Sequence, residues 1–183
     1  MQKKVLSEID FYYGEIKTPQ GFEIKRDIIK NSILDSFIQE KRISNNIRDY
    51  AYSDYQLEFS QATQWLQDYI LDHFRSKYSK TLILKNTWGN IYEYNQKSFS
   101  RNTVDPVDLR NAADYTFIYG VDVGKDSTGV VIEYDDNRRK GRTWHLPLNN
   151  NNFVMFPSTN QYFISPNKSE QMNVILTTTY EYI

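Results

Sequence analysis

Asn152-Phe153-Val154-Met155-Phe156-Pro157-Ser158, then Tyr162-Phe163-Ile164-Ser165-Pro166-Asn167, then Met172-Asn173-Val174-Ile175-Leu176-Thr177-Thr178-Thr179-Tyr180 decide the fold class. Three β-branched and aromatic runs (152–156, 162–164 and 172–183) are separated by Pro, Ser and Asn, which is the pattern of short strands joined by turns. Working backwards, TLILK (81–85), WGNIYEY (88–94), YTFIYGVDV (115–123) and GVVIEYD (129–135) have the same character. Turn residues divide them: Asn95-Gln96, Asp105-Pro106, Gly124-Lys125-Asp126, Asp135-Asp136-Asn137 and the four asparagines 149–152. The second half of the chain therefore predicts a β-sandwich or barrel. The four asparagines read as a hairpin loop.

The first half has a different period. Residues 9–16 (IDFYYGEI) suggest an extended segment, and Thr18 to Gly21 a turn. From Phe22 to Ile38, apolar residues recur at Ile24, Ile28, Ile29, Ile33, Leu34, Phe37 and Ile38, predicting a helix with one buried face. Ser44-Asn45-Asn46 breaks it, and 43–54 reads as a long loop. A second helix fits roughly 55–78 on the stripe Leu57, Ala62, Trp65, Leu66, Tyr69, Ile70, His73 and Phe74, with Ser60 able to cap a later start. Gln61, Gln64, Gln67, Asp68 and Asp72 are expected to face outward. Helices in front and strands behind predict an α+β protein with helices covering one sheet face, divided as 1–80 (strand and helices) and 81–183 (β-domain) within one compact unit.

Composition excludes several functions. The 183 residues carry 22 basic and 23 acidic side chains, a net charge of -1, so no basic excess points to nucleic acid. There are no cysteines, which removes thiolate metal sites and Cys nucleophiles. No signal-peptide pattern opens the chain, and no run of about 18 apolar residues occurs. The expectation is a soluble protein made in a cytoplasm, without membrane contact.

Few residues suggest chemistry. Asp122, Asp126, Asp135 and Asp136 sit near strand ends, where Asp favours turns but also binds divalent cations. Arg138-Arg139-Lys140-Gly141-Arg142 is the one charge run, read as a solvated loop tip or a protein interface formed by Arg138, Arg139, Lys140 and Arg142. The two histidines, His73 and His145, lie far apart in sequence. No phosphate loop, nucleophile elbow or metalloprotease motif is present.

The stretch from Asn86 to Leu176 resembles the small 2-oxoglutarate/Fe(II) oxygenase-like proteins of tailed phages and some bacteria. Phe153 to Ser158, Ser165 to Glu170, Asn173 to Leu176, Trp88-Gly89-Asn90-Ile91-Tyr92 and Tyr115 to Val123 carry the likeness. The resemblance implies a double-stranded β-helix, or jelly roll, with the N-terminal helices packed outside. It also implies a His-x-Asp or His-x-His pair after the Trp88 strand, a second His after Pro157-Ser158, and an oxoglutarate-binding Arg near Met172. At those positions this chain has Arg101, Thr103, Tyr162 and Asn173. Ferrous iron requires imidazole and carboxylate ligands, so the expected sets of catalytic, cofactor-binding and metal-ligating residues are empty.

The resemblance then implies a non-enzymatic structural or assembly protein of a tailed-phage virion, at neck, tail or baseplate. Its partners would be other virion proteins in a symmetric multi-copy assembly. Tyr12, Tyr13, Tyr50, Tyr52 and Tyr55 are candidates for subunit contacts or for core, and the last strand either completes the sheet or pairs with a neighbour. Two alternatives stand beside this reading. One is an oxygenase with unusual ligands, His145 with Asp122 or Asp135. The other is a carbohydrate-binding jelly roll.

Overall fold

The computed structural model describes residues 9–43, 54–57, 60–137 and 140–183. The break at Ser44-Asn45-Asn46, most of the 43–54 connection, Tyr50, Tyr52, Arg138 and Arg139 lie outside these residues.

Alternating side chains in the second half build two sheets. The larger contains β1 (Tyr12–Glu15), β7 (Asn152–Pro157), β4 (Tyr115–Asp122), β9 (Asn173–Tyr182), β3 (Leu82–Tyr92) and β2 (Tyr55–Gln56), in that spatial order. The smaller contains β6 (Lys140–Leu148), β5 (Thr128–Asn137) and β8 (Gln161–Ile164). Residues 98–103 run beside β8 as a further extended segment. Ser98 N–H donates to Ile164 O (3.1 Å), and Arg101 and Tyr162 exchange two backbone hydrogen bonds (2.9 and 2.8 Å). All the ladders are antiparallel, and the chain crosses repeatedly between the sheets. The protein is α+β, and its β-domain is a double-stranded β-helix.

The period-2 pattern of β4 separates two cores. Phe117, Tyr119 and Val121 point outward and, with Met155, Val174, Leu176 and Tyr180, meet the helices. Ile118 points inward and joins Val130, Ile132, Val154, Phe156, Tyr162, Ile164 and Ile175 between the sheets. The outer face is covered by α1 (Phe22–Ile43) through Ile29 and Ile33, and by α2 (Gln61–Tyr78) through Ala62, Leu66, Ile70 and Phe74. Gly89 lets α1 lie close to β3, since a Cβ there would collide with the Ile33 side chain.

Several expectations are corrected. The second helix starts at Gln61, because Ser60 and Thr63 form a reciprocal capping box (3.1 and 3.0 Å), and Tyr55–Gln56 pairs with β3 as a strand. The buried stripe of α1 is Phe22, Ile29 and Ile33, while Ile24, Ile28 and Ile38 are exposed. Residues 81–85 and 88–94 are not two strands. They merge into β3, which carries a bulge between Leu84 and Asn86. Gln67 is buried rather than solvent-facing: its amide donates to Thr178 Oγ1 (3.0 Å) and its carbonyl accepts from Tyr180 Oη.

Asn149 to Asn152 form a crossover from β6 in the small sheet to β7 in the large one, not a hairpin. There Asn150 Oδ1 accepts from Val123 N–H (2.6 Å) and Asn151 Oδ1 from Tyr119 Oη (2.7 Å). Of the candidate contact tyrosines, Tyr13 is exposed, whereas Tyr12 packs on the outer core. β9 completes the sheet, lying between β4 and β3.

Candidate functional site

Trp88, Asn90 and Tyr92 alternate along β3 and face the space between the sheets. Opposite them stands Arg101, held against Tyr162 of β8 by their backbone bridge. The structure thus brings together two positions that the sequence marks as changed.

Arg101 is the centre of a polar cluster. Its two terminal guanidinium nitrogens donate to both oxygens of Asp54 (2.8 and 2.9 Å), a bidentate pair about a third exposed on each side. Asn90 Nδ2 donates a third hydrogen bond to Asp54 Oδ1 (2.8 Å). Arg101 Nε donates to Tyr162 Oη (3.3 Å). The guanidinium carbon lies 5.7 Å from the Trp88 ring centre and 5.9 Å from that of Tyr162, within cation–π range.

Burial opposes the Arg101 charge, but Tyr162 and Asp54 outweigh it and bind the proton more tightly than usual. Burial pushes the Tyr162 phenol up, against the pull of Arg101. Tyr92, Tyr119 and Tyr180 are likewise pushed well above the ordinary phenol value of 10.0, chiefly by burial.

These shifts set a pH dependence. A phenol held neutral by the fold ionises first in the unfolded chain. Its contribution is therefore complete below about pH 10 and is lost as pH rises toward the folded value. The melting temperature is expected to hold to about pH 9 and to fall progressively beyond about pH 10. Thermal melts across that range check this, and a melting temperature unchanged at about pH 11 contradicts it.

The other changed positions have structural partners. The Thr103 hydroxyl hydrogen-bonds with Thr116 Oγ1, which in turn bonds with Ser158 Oγ (2.9 Å). Asn173 is fully buried at the start of β9, where its Oδ1 accepts from Gly124 N–H (3.0 Å) and its amide pairs with Ser127 Oγ.

The alternative ligand set is not assembled. His145 is exposed on β6, opposite Val131, and so lies on the outer face of the small sheet. Asp122 ends β4 in the large sheet and pairs with Lys30 of α1. Asp135 is a strand residue of β5, paired in register with Gly141. Among the described residues no three His, Asp or Glu side chains gather as a metal site. The basic run is not a loop tip as a whole: Lys140 and Arg142 belong to β6, with Arg142 exposed and registered against Tyr134.

Asp54 was not legible from sequence, because it falls where a loop was expected and its partners lie 36 and 47 residues away. Trp88 and Asn90 carried a signal in their period-2 spacing with Tyr92.

The same arrangement of sheets and helices occurs in solved structures. A truncated viral collagen prolyl hydroxylase of Paramecium Bursaria Chlorella virus-1 superposes with a TM-score of 0.63 at 10% identity, over 98% of this chain and 97% of that one. A prolyl-4-hydroxylase of Pseudomonas putida gives 0.60 at 12% identity, over 93% and 91%. The non-heme α-ketoglutarate-dependent epimerase SnoN of nogalamycin biosynthesis gives 0.64 at 8% identity, over 93% and 76%. The fold is one that 2-oxoglutarate/Fe(II) oxygenases use. At these identities the likeness is one of fold. No protein-family model and no curated protein matches the sequence.

An iron centre of that fold does not fit the residues present. Arg101 brings a cation, Tyr162 a phenol held neutral, and Thr103 a hydroxyl already bonded to Thr116. None of these is a ligand that Fe(II) selects, and the nearby carboxylate, Asp54, already accepts three hydrogen bonds.

Proposed function

We propose that this chain is a non-enzymatic jelly roll that keeps the oxygenase scaffold and has exchanged its metal site for a structural ion pair. The observation that carries this reading is the Arg101–Asp54 pair, bidentate at 2.8 and 2.9 Å, set beside Tyr162 where the resemblance calls for imidazoles. A guanidinium there repels a divalent cation and satisfies the carboxylate of Asp54. Asn173, in place of an arginine, removes the bidentate grip on a carboxylate co-substrate.

A rigid β-scaffold without a reaction suits an assembly role. The sequence resemblance to tailed-phage proteins supports a place in the virion, in contact with other virion proteins. The nine-residue strand β6 supports the same reading, because it is an unpaired edge of its sheet among the described residues and such an edge is open to a neighbouring chain.

The test has two arms. Purified protein loaded anaerobically with Fe(II) and 2-oxoglutarate, and then exposed to O₂, is expected to hold background iron and form no succinate. Stoichiometric iron with succinate formation overturns the non-enzymatic reading. Mass spectrometry of purified phage particles is expected to find the chain at a fixed copy ratio to the major tail proteins. Its absence from particles overturns the virion role alone.

A further inference from the structure

The open side of β6 is defined by the hydrogen-bond phase of its sheet. Ser165 N–H donates to Gly129 O (2.9 Å), so the backbone groups of Gly129, and of Val131 and Glu133 at the same phase, point to β8. Those of Val130, Ile132 and Tyr134 therefore point to β6, where they meet Leu146, Trp144 and Arg142. Between these, Gly141, Thr143, His145 and Pro147 turn their backbone groups away from β5. Pro147 agrees with this phase, since its missing N–H falls on the side without a partner strand. Among the described residues nothing pairs with that side. The side chains divide with the same period. Thr143, His145 and Pro147 are exposed on the outer face. Trp144 is half-buried on the inner face, edge-on to Phe11 (5.5 Å) and to Tyr13 (5.2 Å), and Tyr13 is itself 60% exposed. An aromatic wall thus stands beside the open edge.

Charge and proline on an edge strand discourage strand addition, and β6 has both, so register decides what can add to it. Two copies of β6 can run antiparallel about a two-fold axis. With Arg142 at the axis, the same charge of both copies meets across the strands. With Trp144, His145 or Leu146 at the axis, Pro147 faces Gly141, Thr143 or His145 of the other copy and leaves that carbonyl without a donor. With Thr143 at the axis neither conflict arises. Thr143 then faces Thr143, a favourable cross-strand pair, and Gly141 of one copy faces His145 of the other. Both kinds of facing pair exchange both backbone hydrogen bonds. Arg142 of one copy lies across from Trp144 of the other, whose ring attracts a cation. Pro147 falls outside the overlap. The strand is therefore complementary to itself in one register, in charge and in hydrogen bonding.

We propose that β6 pairs with β6 of a second copy of this chain, antiparallel and centred on Thr143, so that two small sheets become one continuous sheet. The pairing rests on the open edge that the assembly role invokes, and it names the occupant of that edge. It forms in purified protein, so its failure leaves the iron and particle tests standing, and absence of the chain from particles leaves the pairing standing.

Sedimentation equilibrium of the full chain is expected to show a monomer–dimer equilibrium with a dissociation constant on the order of 10 µM, as suits a small contact. Thr143→Pro removes only an outward N–H, as Pro147 already does. It is expected to weaken pairing by about tenfold or more and to melt within about 4 °C of the native chain. Cross-linking reads the register independently of that variant. The chain has no cysteine, so Thr143→Cys can form only a disulfide between copies. Cα atoms of a facing hydrogen-bonded pair lie about 5.5 Å apart, within disulfide reach. The two copies of residue 145 lie four positions apart along the strands, about 13 Å. With oxidised glutathione, Thr143→Cys is expected to give a covalent dimer and His145→Cys to remain monomeric. If Thr143→Pro does not fold, the two cysteine variants decide. A chain that stays monomeric at about 100 µM leaves the edge to a different protein and overturns the proposal. So does a dimer unchanged in a folded Thr143→Pro, or a covalent dimer formed by His145→Cys in preference to Thr143→Cys.

Discussion

Phe117→Ala is expected to destabilise the protein by about 3–5 kcal/mol, the range for emptying a fully buried aromatic site. Phe117 is 0% exposed. It stands on the outward face of β4, opposite Thr178 of β9 and Met155 of β7, so it contacts the middle of the sheet from both sides. Its ring stacks on Phe153 at 5.5 Å and meets Tyr180 edge-on at 6.3 Å. Ile29 and Ile33 of α1 and Leu66, Ile70 and Phe74 of α2 close over this layer. In a chain of this length each kcal/mol moves the melting temperature by about 2–4 °C, so a drop of roughly 6–20 °C is expected. Thermal melting by circular dichroism measures it. A drop below about 2 °C would mean that α1 and α2 are not packed on the sheet as described.

The same strand shows what was legible. Tyr115 to Val123 is a β-branched and aromatic run bounded by turn residues, so a strand there can be placed on paper. Which core each residue joins cannot, since both faces of β4 are buried and the bulge between Gly120 and Asp122 puts Val121 in the outer core and Val123 in the inner one.

The failures share the opposite cause. Gln67 looks like a solvent residue on its helix, but its partners Thr178 and Tyr180 are 111 and 113 positions away. Ile24, Ile28 and Ile38 look like part of a buried stripe, yet the sheet meets α1 on the side of Ile29 and Ile33. Which side of a helix is covered depends on where the sheet lies, and hydropathy alone does not fix that. Residues 138–142 look like a loop because they are charged. Lys140 and Arg142 are nonetheless strand residues, and the exposed Arg142 shows that an edge strand can carry charge.

The candidate site was half visible. Arg101, Thr103, Tyr162 and Asn173 were found by position, as residues standing where others were expected. What they do instead could not be found that way. Asp54 and Asn90 complete the Arg101 cluster from elsewhere in the chain, and only the pairing of β2 with β3 brings Asp54 to Arg101.

Arg101→Ala is expected to cost about 2 kcal/mol or somewhat more, a fall in melting temperature of roughly 4–8 °C. Removing one partner of a fully buried ion pair costs about 3–5 kcal/mol. Here both side chains are about a third exposed (33% and 34%), so water screens the charge left behind and the figure is discounted. The remainder has three sources: two charge-assisted hydrogen bonds to Asp54, the contact of the guanidinium with the Trp88 and Tyr162 rings, and the hydrogen bond to Tyr162 Oη.

Asp54→Asn is expected to cost less, about 1 kcal/mol, because it keeps an acceptor for Asn90 or Arg101 and leaves the ring contacts intact. The double variant Arg101→Met with Asp54→Leu is expected to recover most of the loss, since neither charge is then stranded. Non-additivity in that cycle, read from melts or urea titrations, measures the pair directly. If Arg101→Ala leaves stability unchanged, the pair is a surface contact, and it does not hold the centre of the barrel mouth where the resemblance places iron. If the variant gains stoichiometric Fe(II), the guanidinium was masking a metal site, and the scaffold kept more of its chemistry than its sequence shows.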